Sequence, residues 1–510
     1  MSTVNLHPLD KWNLELLKNA HPQDRVDPKA QSIYNMVVIG AGTAGLITAA
    51  GTGVLGGKVA LIERNLMGGD CLNIGCVPSK TIIRSAQIMA NARDAQSYGI
   101  HVPEGTKADF PAVMERLRRV RADISHNDSV ERYEGFGIDI FLGEGRFTAR
   151  DTIEVNGQTL RFKKAVIATG SHPVAPNIPG LKEAGYLTNE TVFNLTEQPV
   201  RLAVIGGGPI GSELAQAFLR LGSEVVLFHN EDHLLSREDA HAAEIVQQRF
   251  LREGMCLILK AKITRVEQRN GKKVLFYTRP QSDGTTAEGE VVVDEILVGA
   301  GRVPNVTGLN LEGAGVEYDT RKGVHVDDNL RTTNPNIFAI GDVAIPYKFT
   351  HMADATARIA IRNALFMGRD KLSSLIIPWV TYTDPEIAHV GLYEHEAQAQ
   401  GIAIETFMVE LNDNDRARAE GDDEGFVKVH VKKGTDTILG ATIVARDAGN
   451  MISEITLAMV NGLGLGKFTT VIHPYPTQSE AIRRVADLHR RAKFTPPLQW
   501  AFKQWLALTR

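Results

Sequence analysis

The sequence predicts an α/β protein in which two βαβ units precede a C-terminal α+β domain, and three observations lead to this prediction. An apolar strand that starts at Asn35 runs into a glycine-rich turn at Gly40. The same pattern returns 166 residues later, at Gly206. From about residue 375 onward, short apolar runs bounded by turn residues, followed by a long apolar helix, replace the glycine pattern.

The first βαβ unit carries a complete dinucleotide-binding pattern. Its strand leads into Gly40, Gly42 and Gly45, a helix-like segment follows, and a second strand ends at Glu63. Glycines at this spacing let the backbone approach a pyrophosphate at the helix N-terminus. Glu63 lies 23 residues after the first glycine, where a carboxylate accepts hydrogen bonds from ribose hydroxyls. A chance match is less probable here because strand, turn, helix and strand occur in the required order.

The second unit repeats this order and predicts a second dinucleotide. Gly206, Gly208 and Gly211 follow an apolar strand and open a helix, and the next strand ends just before His229. His229 occupies the position that reads the ribose.

If the second dinucleotide is a nicotinamide nucleotide, the residues after His229 decide only weakly between NADH and NADPH. The segment offers neither an acid at position 229 nor a following arginine clamp for a 2′-phosphate. Glu231 and Asp232 would repel that phosphate, so the sequence favours NADH slightly. A protonated His229 would reverse this preference.

The remaining elements are placed by simpler patterns. Residues 161–170 and 295–301 predict strands that cross between the two glycine units. In the C-terminal part, residues 426–431 and 438–443 predict two strands, and residues 450–461 predict a helix.

Length and composition exclude several protein classes. With 510 residues, 43% of them hydrophobic and 23% charged, the chain is too long for one ordinary core and predicts several domains. Lys and Arg number 56 against 60 Asp and Glu, a balance that gives no general electrostatic footprint for nucleic acid. We therefore expect no nucleic-acid partner.

The distribution of apolar residues favours a cytoplasmic location. Asp10, Lys11 and Glu15 interrupt the N-terminal apolar stretch, which lacks the core of a signal peptide. The most apolar long stretch, residues 47–62, contains Lys58 and several glycines and does not resemble a membrane-spanning helix.

The three cysteines point to chemistry at one place. They are too few for a disulfide scaffold and one short of a four-thiolate zinc site, so no metal site is expected. Cys71 and Cys76 lie close together before a helix with Pro78 near its start. They are able to form a local disulfide, and the helix N-terminus would lower the pKa of the nearer thiol; the alternative is a pair of buried free cysteines. Cys256 lies in an apolar strand and is predicted to be core.

Together these motifs resemble the flavin- and pyridine-nucleotide-dependent disulfide oxidoreductases, which include dihydrolipoamide dehydrogenase, glutathione reductase and mercuric reductase. The resemblance covers residues 34–484. Besides the two glycine motifs and Glu63, it rests on residues 71–80, 168–170, 301–305, 336–342 and 476–480.

The resemblance implies two Rossmann-like domains, one binding FAD and one binding NAD(P)H, and a C-terminal α+β dimerisation domain. The implied divisions are an N-terminal arm (1–33), a discontinuous FAD-binding domain (34–180 and 315–370), an NAD(P)-binding domain (181–314), a dimerisation domain (371–490) and a C-terminal amphipathic helix (491–510). The family works as a homodimer in which the C-terminal domain completes the partner's active site.

The resemblance also assigns site residues. Cys76 would be the charge-transfer thiol and Cys71 the interchange thiol facing substrate, and Lys80 and Glu213 match an ion pair beside the flavin. The implied cofactor-binding residues are Gly40, Gly42, Thr43, Ala44, Gly45, Glu63, Gly69, Asp70, Lys80, Gly145, Ala168, Thr169, Gly170, Gly206, Gly208, Pro209, Ile210, Gly211, His229, Gly301, Arg302, Gly341, Asp342, Met352 and Ala353. Pro209 stands where several relatives carry a gating tyrosine, which predicts relaxed acceptor specificity.

One departure concerns the catalytic base. The disulfide reductases place a histidine where this chain has Tyr475, although the orienting Glu480 remains. Tyrosine is a poor base at neutral pH. His473 lies two residues upstream, and an extended chain would point it to the same side as Tyr475, so it is a candidate replacement base. Mercuric reductase also has tyrosine here, but this sequence shows neither its terminal cysteine pair nor its N-terminal metal-binding module.

The preferred prediction is therefore an FAD-dependent NAD(P)H oxidoreductase with a redox-active Cys71–Cys76 pair. It would reduce a thiol-reactive acceptor: a metal ion such as Hg(II), a disulfide or a polysulfide. The alternatives are a dihydrolipoamide dehydrogenase with a relocated base, a flavin-mediated quinone reductase, and a redox-sensing flavoprotein associated with a membrane or partner.

Both ends of the chain carry apolar helical stripes outside the resemblance. Near the C-terminus the stripe follows a basic segment, a pattern that fits either a membrane surface or packing on the protein's own dimer. Its residues are Leu498, Ala501, Phe502, Trp505 and Leu508. At the N-terminus, Leu9, Trp12, Leu16 and Leu17 predict an arm that packs on the body.

Overall fold

The computed structural model describes residues 5–281 and 283–510 and confirms the mixed α/β class. Its helices are α1 (Lys11–Ala20), α2 (Thr43–Val54), α3 (Gly69–Asn73), α4 (Cys76–Asp94), α5 (Phe110–Ser125), α6 (Val130–Glu134), α7 (Leu181–Ala184), α8 (Pro209–Leu221), α9 (Ala240–Arg252), α10 (Thr350–Leu365), α11 (Glu394–Ala399), α12 (Asp415–Glu420), α13 (Ala448–Val460), α14 (Glu480–Ala492) and α15 (Pro496–Leu508).

The strands are β1 (Tyr34–Ile39), β2 (Val59–Glu63), β3 (Ile138–Leu142), β4 (Arg146–Ala149), β5 (Thr152–Val155), β6 (Gln158–Ile167), β7 (Ser171–Pro173), β8 (Arg201–Ile205), β9 (Glu224–Phe228), β10 (Cys256–Ile258), β11 (Lys262–Arg269), β12 (Lys272–Pro280), β13 (Thr286–Val293), β14 (Glu295–Val298), β15 (Arg302–Pro304), β16 (Tyr318–Asp319), β17 (Gly323–Val324), β18 (Ile337–Ala339), β19 (Pro378–Thr381), β20 (Glu386–Gly391), β21 (Ile404–Glu410), β22 (Phe426–Lys432) and β23 (Ile438–Ala445).

The chain separates into two compact units. Unit 1 extends to Asn230 and resumes over Met255–Leu375, and unit 2 comprises Glu231–Gly254 and Ile376–Arg510. The domain boundaries drawn from the sequence remain predictions.

Unit 1 contains both glycine motifs, each at the carboxyl edge of a parallel sheet. The first sheet has the order β3-β2-β1-β6, with β18 also pairing with β6 and with β5 and β4 added antiparallel. The second has the order β10-β9-β8-β14, and a separate antiparallel sheet, β11-β12-β13, follows β10 in the chain. The parallel strands are almost continuously apolar because both of their faces are buried.

Unit 2 is built on the antiparallel sheet β19-β20-β23-β22-β21. The predicted strands are β22 and β23, and the predicted helix is α13. Residues from this sheet, α13 and α14 form one buried apolar cluster. Helix α9 also belongs to this unit: Lys428 pairs with Asp239 at its N-terminus at 2.9 Å, and Tyr393 donates to buried Glu238 at 2.6 Å.

Two predictions about packing are corrected by the structure. Cys256 is exposed and not core, because it opens the edge strand β10 and its side chain faces outward. Leu9 is 63% exposed, because the buried face of α1 consists of Asn13, Leu16 and Ala20. The expected packing of the arm is confirmed through Leu16, which is fully buried.

Within the part of the chain that the structure describes, none of the helices combines the length and the apolar character needed to cross a bilayer.

Candidate active site and dinucleotide sites

The first glycine loop is shaped so that only glycine fits at two of its positions. Gly40 has φ +102°, and a Cβ there would lie 2.4 Å from the Ala168 carbonyl oxygen. A Cβ on Gly45 would lie 1.7 Å from the Gly40 carbonyl oxygen. Gly42 caps α2 without a side-chain bond, which leaves the first backbone amides of that helix for an anion. The loop is a cradle for a pyrophosphate.

Glu63 is positioned at the end of β2 by the same loop. Its Oε2 accepts from the Ala41 amide at 2.6 Å and its Oε1 from the Asn65 amide at 2.8 Å. Burial raises the pKa of this carboxyl, and the two amides act in the opposite direction. The predicted acid is therefore fixed by the backbone beside the cradle.

The chain brings distant predicted residues to this cradle. A Cβ on Gly341 would lie 3.4 Å from the Ala44 Cβ and 3.7 Å from the Ala353 Cβ, so the starts of α2 and α10 meet at Gly341. A Cβ on Gly145 would lie 3.1 Å from Ile62, next to Glu63. Buried Met352 lies in α10, which packs on α2.

A polar network links three predicted residues through one that the sequence did not indicate. Arg302 donates from Nε to the Ser171 hydroxyl and from Nη2 to the Ser171 carbonyl, both at 2.8 Å, and also pairs with Asp70. Ser171 in turn donates to Asp342 at 2.6 Å. Ser171 directly follows the predicted segment Ala168–Gly170. Its adjacency to that segment is the feature of the sequence that would have indicated a role for Ser171.

The two-cysteine segment is joined to the cradle by close backbone packing. The Gly68 amide donates to the Ala41 carbonyl at 2.9 Å, and a Cβ on Gly69 would lie 2.6 Å from the Gly42 Cα. Cys71 lies in α3, and Cys76 is the first residue of α4. Both are present as thiols.

The two thiols differ in acidity. The hydrogen bond from Cys71 is the main cause that lowers the pKa of Cys76 to about 6; burial opposes it, and the Thr350 hydroxyl and the Lys80 charge assist. The same pairing raises the pKa of Cys71. Cys76 is thus the thiolate of the pair at neutral pH; the sequence predicted a lowered pKa from the helix N-terminus, whereas the main cause here is the hydrogen bond from Cys71.

Lys80 and Glu213 come together as predicted. Lys80 lies one turn after Cys76 on α4, and its Nζ donates to the Glu213 carboxylate at 2.8 Å. Glu213 lies on α8 with its side chain 8% exposed. The packing of α4 on α8 therefore places a fixed ion pair near the thiolate.

Thr350 is a site residue that the sequence analysis missed. Its hydroxyl lies 3.3 Å from the Cys76 sulfur although 274 residues separate the two positions. It opens α10. No local sequence pattern around residue 350 predicts this contact, because the contact arises from the packing of segments that are distant in the chain.

The second glycine loop repeats the geometry of the first. Gly206 has φ +113°, and a Cβ there would lie 2.7 Å from the Gly299 carbonyl oxygen. A Cβ on Gly211 would lie 1.9 Å from the Gly206 carbonyl oxygen. Buried His229 accepts at Nδ1 from the Gly207 amide at 3.1 Å. Pro209 and Ile210 are the first, exposed residues of α8.

Comparison with known proteins assigns the family. Residues 34–364 match the model of the pyridine nucleotide-disulphide oxidoreductases, and residues 377–486 match the dimerisation domain of that family. The chain belongs to the pyridine nucleotide-disulphide oxidoreductase family. The predicted fold class and family are confirmed.

Relatives of this oxidoreductase include enzymes of two activities. It is 35% identical over 464 residues to a mercuric reductase from Staphylococcus aureus, covering 91% of this chain and 84% of that one. It is also 35% identical to a dihydrolipoyl dehydrogenase from Thermus scotoductus, covering 90% of this chain and 98% of that one. The HOCl-induced flavoprotein disulfide reductase RclA from Escherichia coli superposes with a TM-score of 0.78 at 28% identity, covering 89% of this chain and all of that one.

As a member of this family the protein is an oxidoreductase that uses FAD and NAD(P)H, and its dimerisation domain makes it a homodimer. The residues present fit both cofactors, because each glycine loop has the backbone cradle that a dinucleotide pyrophosphate requires.

The C-terminal segment of this oxidoreductase corrects one expectation. His473 and Tyr475 do not share a side: His473 has a 5% exposed side chain whose Nε2 lies 3.1 Å from Glu454, whereas Tyr475 is 72% exposed and donates to Asp415 at 2.8 Å. The segment forms no strand, so no sheet ladder imposes the alternation that the prediction assumed. Glu480 pairs with Arg483 at 2.8 Å.

Proposed function

We propose that the enzyme transfers electrons from NAD(P)H through the Cys71–Cys76 pair to a thiol-reactive acceptor: a metal ion such as Hg(II), a disulfide or a polysulfide. The observation that carries this proposal is the division of the pair into a Cys76 thiolate and a protonated Cys71 beside the Lys80–Glu213 ion pair. FAD, when bound, supplies the two-electron chemistry that links NAD(P)H to the dithiol.

With a disulfide acceptor the proposed chemistry balances on the two sulfurs. The Cys71 sulfur bonds to one substrate sulfur as the substrate S–S bond breaks, and the Cys71 proton passes to the departing sulfur, which leaves as the first substrate thiol. The Cys76 thiolate then attacks the Cys71 sulfur and releases the second thiol, which takes a proton from water. The substrate is reduced by two electrons, and Cys71 and Cys76 become a disulfide.

Among the acceptor classes, a thiol-binding metal ion is favoured because it needs no base at position 475. Hydrogen bonding to Asp415 raises the pKa of Tyr475 and makes it a weaker base. The His473 side chain is 5% exposed and pairs with Glu454, which makes it less accessible to a substrate than Tyr475. In addition, a Cu(II) complex of RclA has been solved, and mercuric reductases are among the relatives.

The test compares two cysteine variants of the purified FAD-loaded enzyme across Hg(II), Cu(II), lipoamide, polysulfide and quinone acceptors. Cys71→Ser should abolish turnover of the thiol-reactive acceptors while NAD(P)H still bleaches the flavin. Cys256→Ser is the matched control, because this exposed cysteine lies outside the pair. Unchanged metal turnover in Cys71→Ser would refute the proposal. Activity confined to quinones would favour the flavin-only reductase, and lipoamide turnover the relocated-base dehydrogenase.

We also propose a cytoplasmic location with peripheral contact between α15 and an anionic membrane surface. Every residue of α15 is exposed, and Phe494 stacks on Phe502 with ring centroids 5.3 Å apart. No acidic residue follows Asp487, whereas five basic residues do: Arg490, Arg491, Lys493, Lys503 and Arg510. An aromatic apolar face combined with basic charge suits a bilayer interface.

Two tryptophans on different faces of α15 allow a matched test. Trp500 and Trp505 are 65% and 64% exposed, but they lie about 140° apart around the helix, and only Trp505 is on the predicted apolar face. The intact enzyme should co-sediment with phosphatidylglycerol vesicles and not with phosphatidylcholine vesicles. Trp505→Ser should weaken this binding more than Trp500→Ser. Equal effects of the two, or no binding, would refute the membrane contact and leave packing between subunits as the role of α15.

A further inference from the structure

A basic cavity lies at the carboxyl edge of the second parallel sheet, outside every glycine motif. It is open, has a volume of about 400 Å³, and is lined by Leu259, Lys260, Arg279, Pro280 and Gln281. None of the segments on which the family resemblance rests includes these residues. The cavity contains two cations and no carboxylate among its lining residues.

Backbone hydrogen bonds hold the first half of the cavity against His229. The His229 amide donates to the Ile258 carbonyl at 3.0 Å, and the Ala261 amide donates to the His229 carbonyl at 2.9 Å. Lys260 lies between these two partners. It adopts φ +53°, a left-handed conformation that is uncommon for residues other than glycine and that marks a tight turn. The turn thereby fixes Lys260 beside the backbone of His229, the residue that is predicted to contact the ribose.

Antiparallel pairing brings Arg279 to the same edge. Strand β11 starts just after the end of β10, and Lys262 at its start pairs with Thr278 near the end of β12. The preceding residue, Tyr277, packs edge-on against Phe228 at the end of β9, with ring centroids 5.3 Å apart. Arg279 therefore arrives from another strand at the place where β9 and β10 both end.

We propose that Lys260 and Arg279, close to His229, bind the 2′-phosphate of NADPH and make NADPH the preferred electron donor. In a Rossmann unit the adenosine ribose lies at the end of the second strand, which here is β9. Lysine and arginine at that edge supply the charge that a phosphate requires. His229 accepts at Nδ1 from Gly207 and its Nε2 is buried, so the charge for the phosphate comes from the two cations.

This inference reverses the slight preference for NADH drawn from the sequence. That preference assumed that an arginine clamp would have to follow His229 in the chain. Here the cations come from the β10–β11 turn and from β12, which local sequence does not reveal. Glu231 and Asp232 follow His229 and act against a phosphate, so the two sets of charges predict opposite donors.

Calorimetry on the FAD-loaded enzyme tests the site without any acceptor, using 2′,5′-ADP and 5′-AMP as probes. The wild type should bind 2′,5′-ADP at least about tenfold more tightly than 5′-AMP, and Lys260→Gln and Arg279→Gln should each remove about tenfold of that affinity. Arg265→Gln is the matched control, because Arg265 is an exposed cation on β11 that does not line the cavity.

Equal affinity for 2′,5′-ADP and 5′-AMP, or unchanged affinity in Arg279→Gln, would overturn the inference. The rate at which NADPH and NADH bleach the flavin should show the same order of preference. The inference rests on use of the second glycine loop for NAD(P)H, and not on the acceptor. Failure of the acceptor proposal would therefore leave this binding result unaffected.

Discussion

The two glycine loops have nearly the same backbone and different surroundings. Gly40 and Gly206 have φ +102° and +113°, and both helices are capped by a glycine with φ −77° and ψ −177°. The second position differs: Gly42 is packed against Gly69 of the cysteine segment, whereas a Cβ on Gly208 would meet nothing within 4 Å. The first loop is enclosed as expected for a retained cofactor, and the second is open as expected for a nucleotide that exchanges.

Glu63 and His229, which are predicted to contact the ribose, share one hydrogen bond and differ in the others. Glu63 and His229 both accept a hydrogen bond from the amide that follows the first glycine, from Ala41 and Gly207. Glu63 is held by a second amide and has only acceptor atoms when ionised, whereas neutral His229 also has a donor. The backbone thus requires an acceptor at the same place in both loops, while the remaining atoms of the two side chains differ.

The largest effects should come from adding a methyl group where the loops have no room. Gly45→Ala places Cβ 1.7 Å from a carbonyl oxygen and should yield protein without bound flavin. Gly211→Ala, with Cβ at 1.9 Å, should retain flavin and slow its reduction by NAD(P)H by about 100-fold. Absorbance spectra and stopped-flow reduction measure both. Gly208→Ala meets no protein atom within 4 Å but places a methyl group where the pyrophosphate approaches, so it should raise the KM for NAD(P)H without changing flavin content.

Loss of bound flavin in Gly211→Ala, or a normal content of bound flavin in Gly45→Ala, would contradict the assignment of FAD to the first loop and NAD(P)H to the second.

A smaller effect is expected from the ribose-reading residues. Glu63→Gln leaves one acceptor oxygen for the two amides and turns an NH2 group toward the other, so flavin affinity should fall about tenfold. His229→Gln should leave flavin affinity unchanged and raise the KM for NAD(P)H. Flavin release during dialysis and steady-state kinetics measure the two quantities. An equal loss of flavin in both variants would contradict the separate roles.

The smallest expected change is a shift in the pKa of the Cys76 thiol. It bears on the comparison of the two glycine loops because only the first loop is joined to a thiol pair. The lowered pKa of Cys76, about 6, keeps its thiolate at neutral pH, and the thiolate is lost as pH falls through that value. Iodoacetamide labelling of the reduced enzyme, located by mass spectrometry, should therefore reach half its rate near pH 6.

Thr350→Val removes a stabilising hydroxyl and should move this midpoint to higher pH. Thr456→Val on α13 is the control, because this hydroxyl donates to the Ile452 carbonyl within that helix. A midpoint unmoved in Thr350→Val would contradict the role of the hydroxyl.

Features encoded by local pattern were predictable, and features that depend on distant packing were not. The two glycine loops, Glu63, the cysteine pair and strands β22 and β23 each have a signature within a few residues. The Lys80–Glu213 pair was predicted through the family resemblance and is formed in the structure. Thr350 meets Cys76 across 274 residues, and no nearby residue encodes that contact.

The failed predictions have a similar cause. The exposure of Cys256 depends on β10 being an edge strand, which an apolar run does not reveal. The His473 side chain does not lie on the same side as Tyr475, as strand alternation would require, because its segment forms no β-ladder. Periodicity describes a side chain's direction only where a sheet or helix enforces it.

Anaerobic titration of the purified enzyme with NADPH, and separately with NADH, tests the central claim that electrons are held by the Cys71–Cys76 pair. We predict that the first equivalent leaves the flavin band largely in place and produces a long-wavelength absorbance that requires the Cys76 thiolate and is missing in Cys76→Ser, and that further equivalents then bleach the flavin. Reduction to the same extent without that absorbance, in the wild type, would contradict the claim and identify the protein as a reductase in which the cysteines take no part.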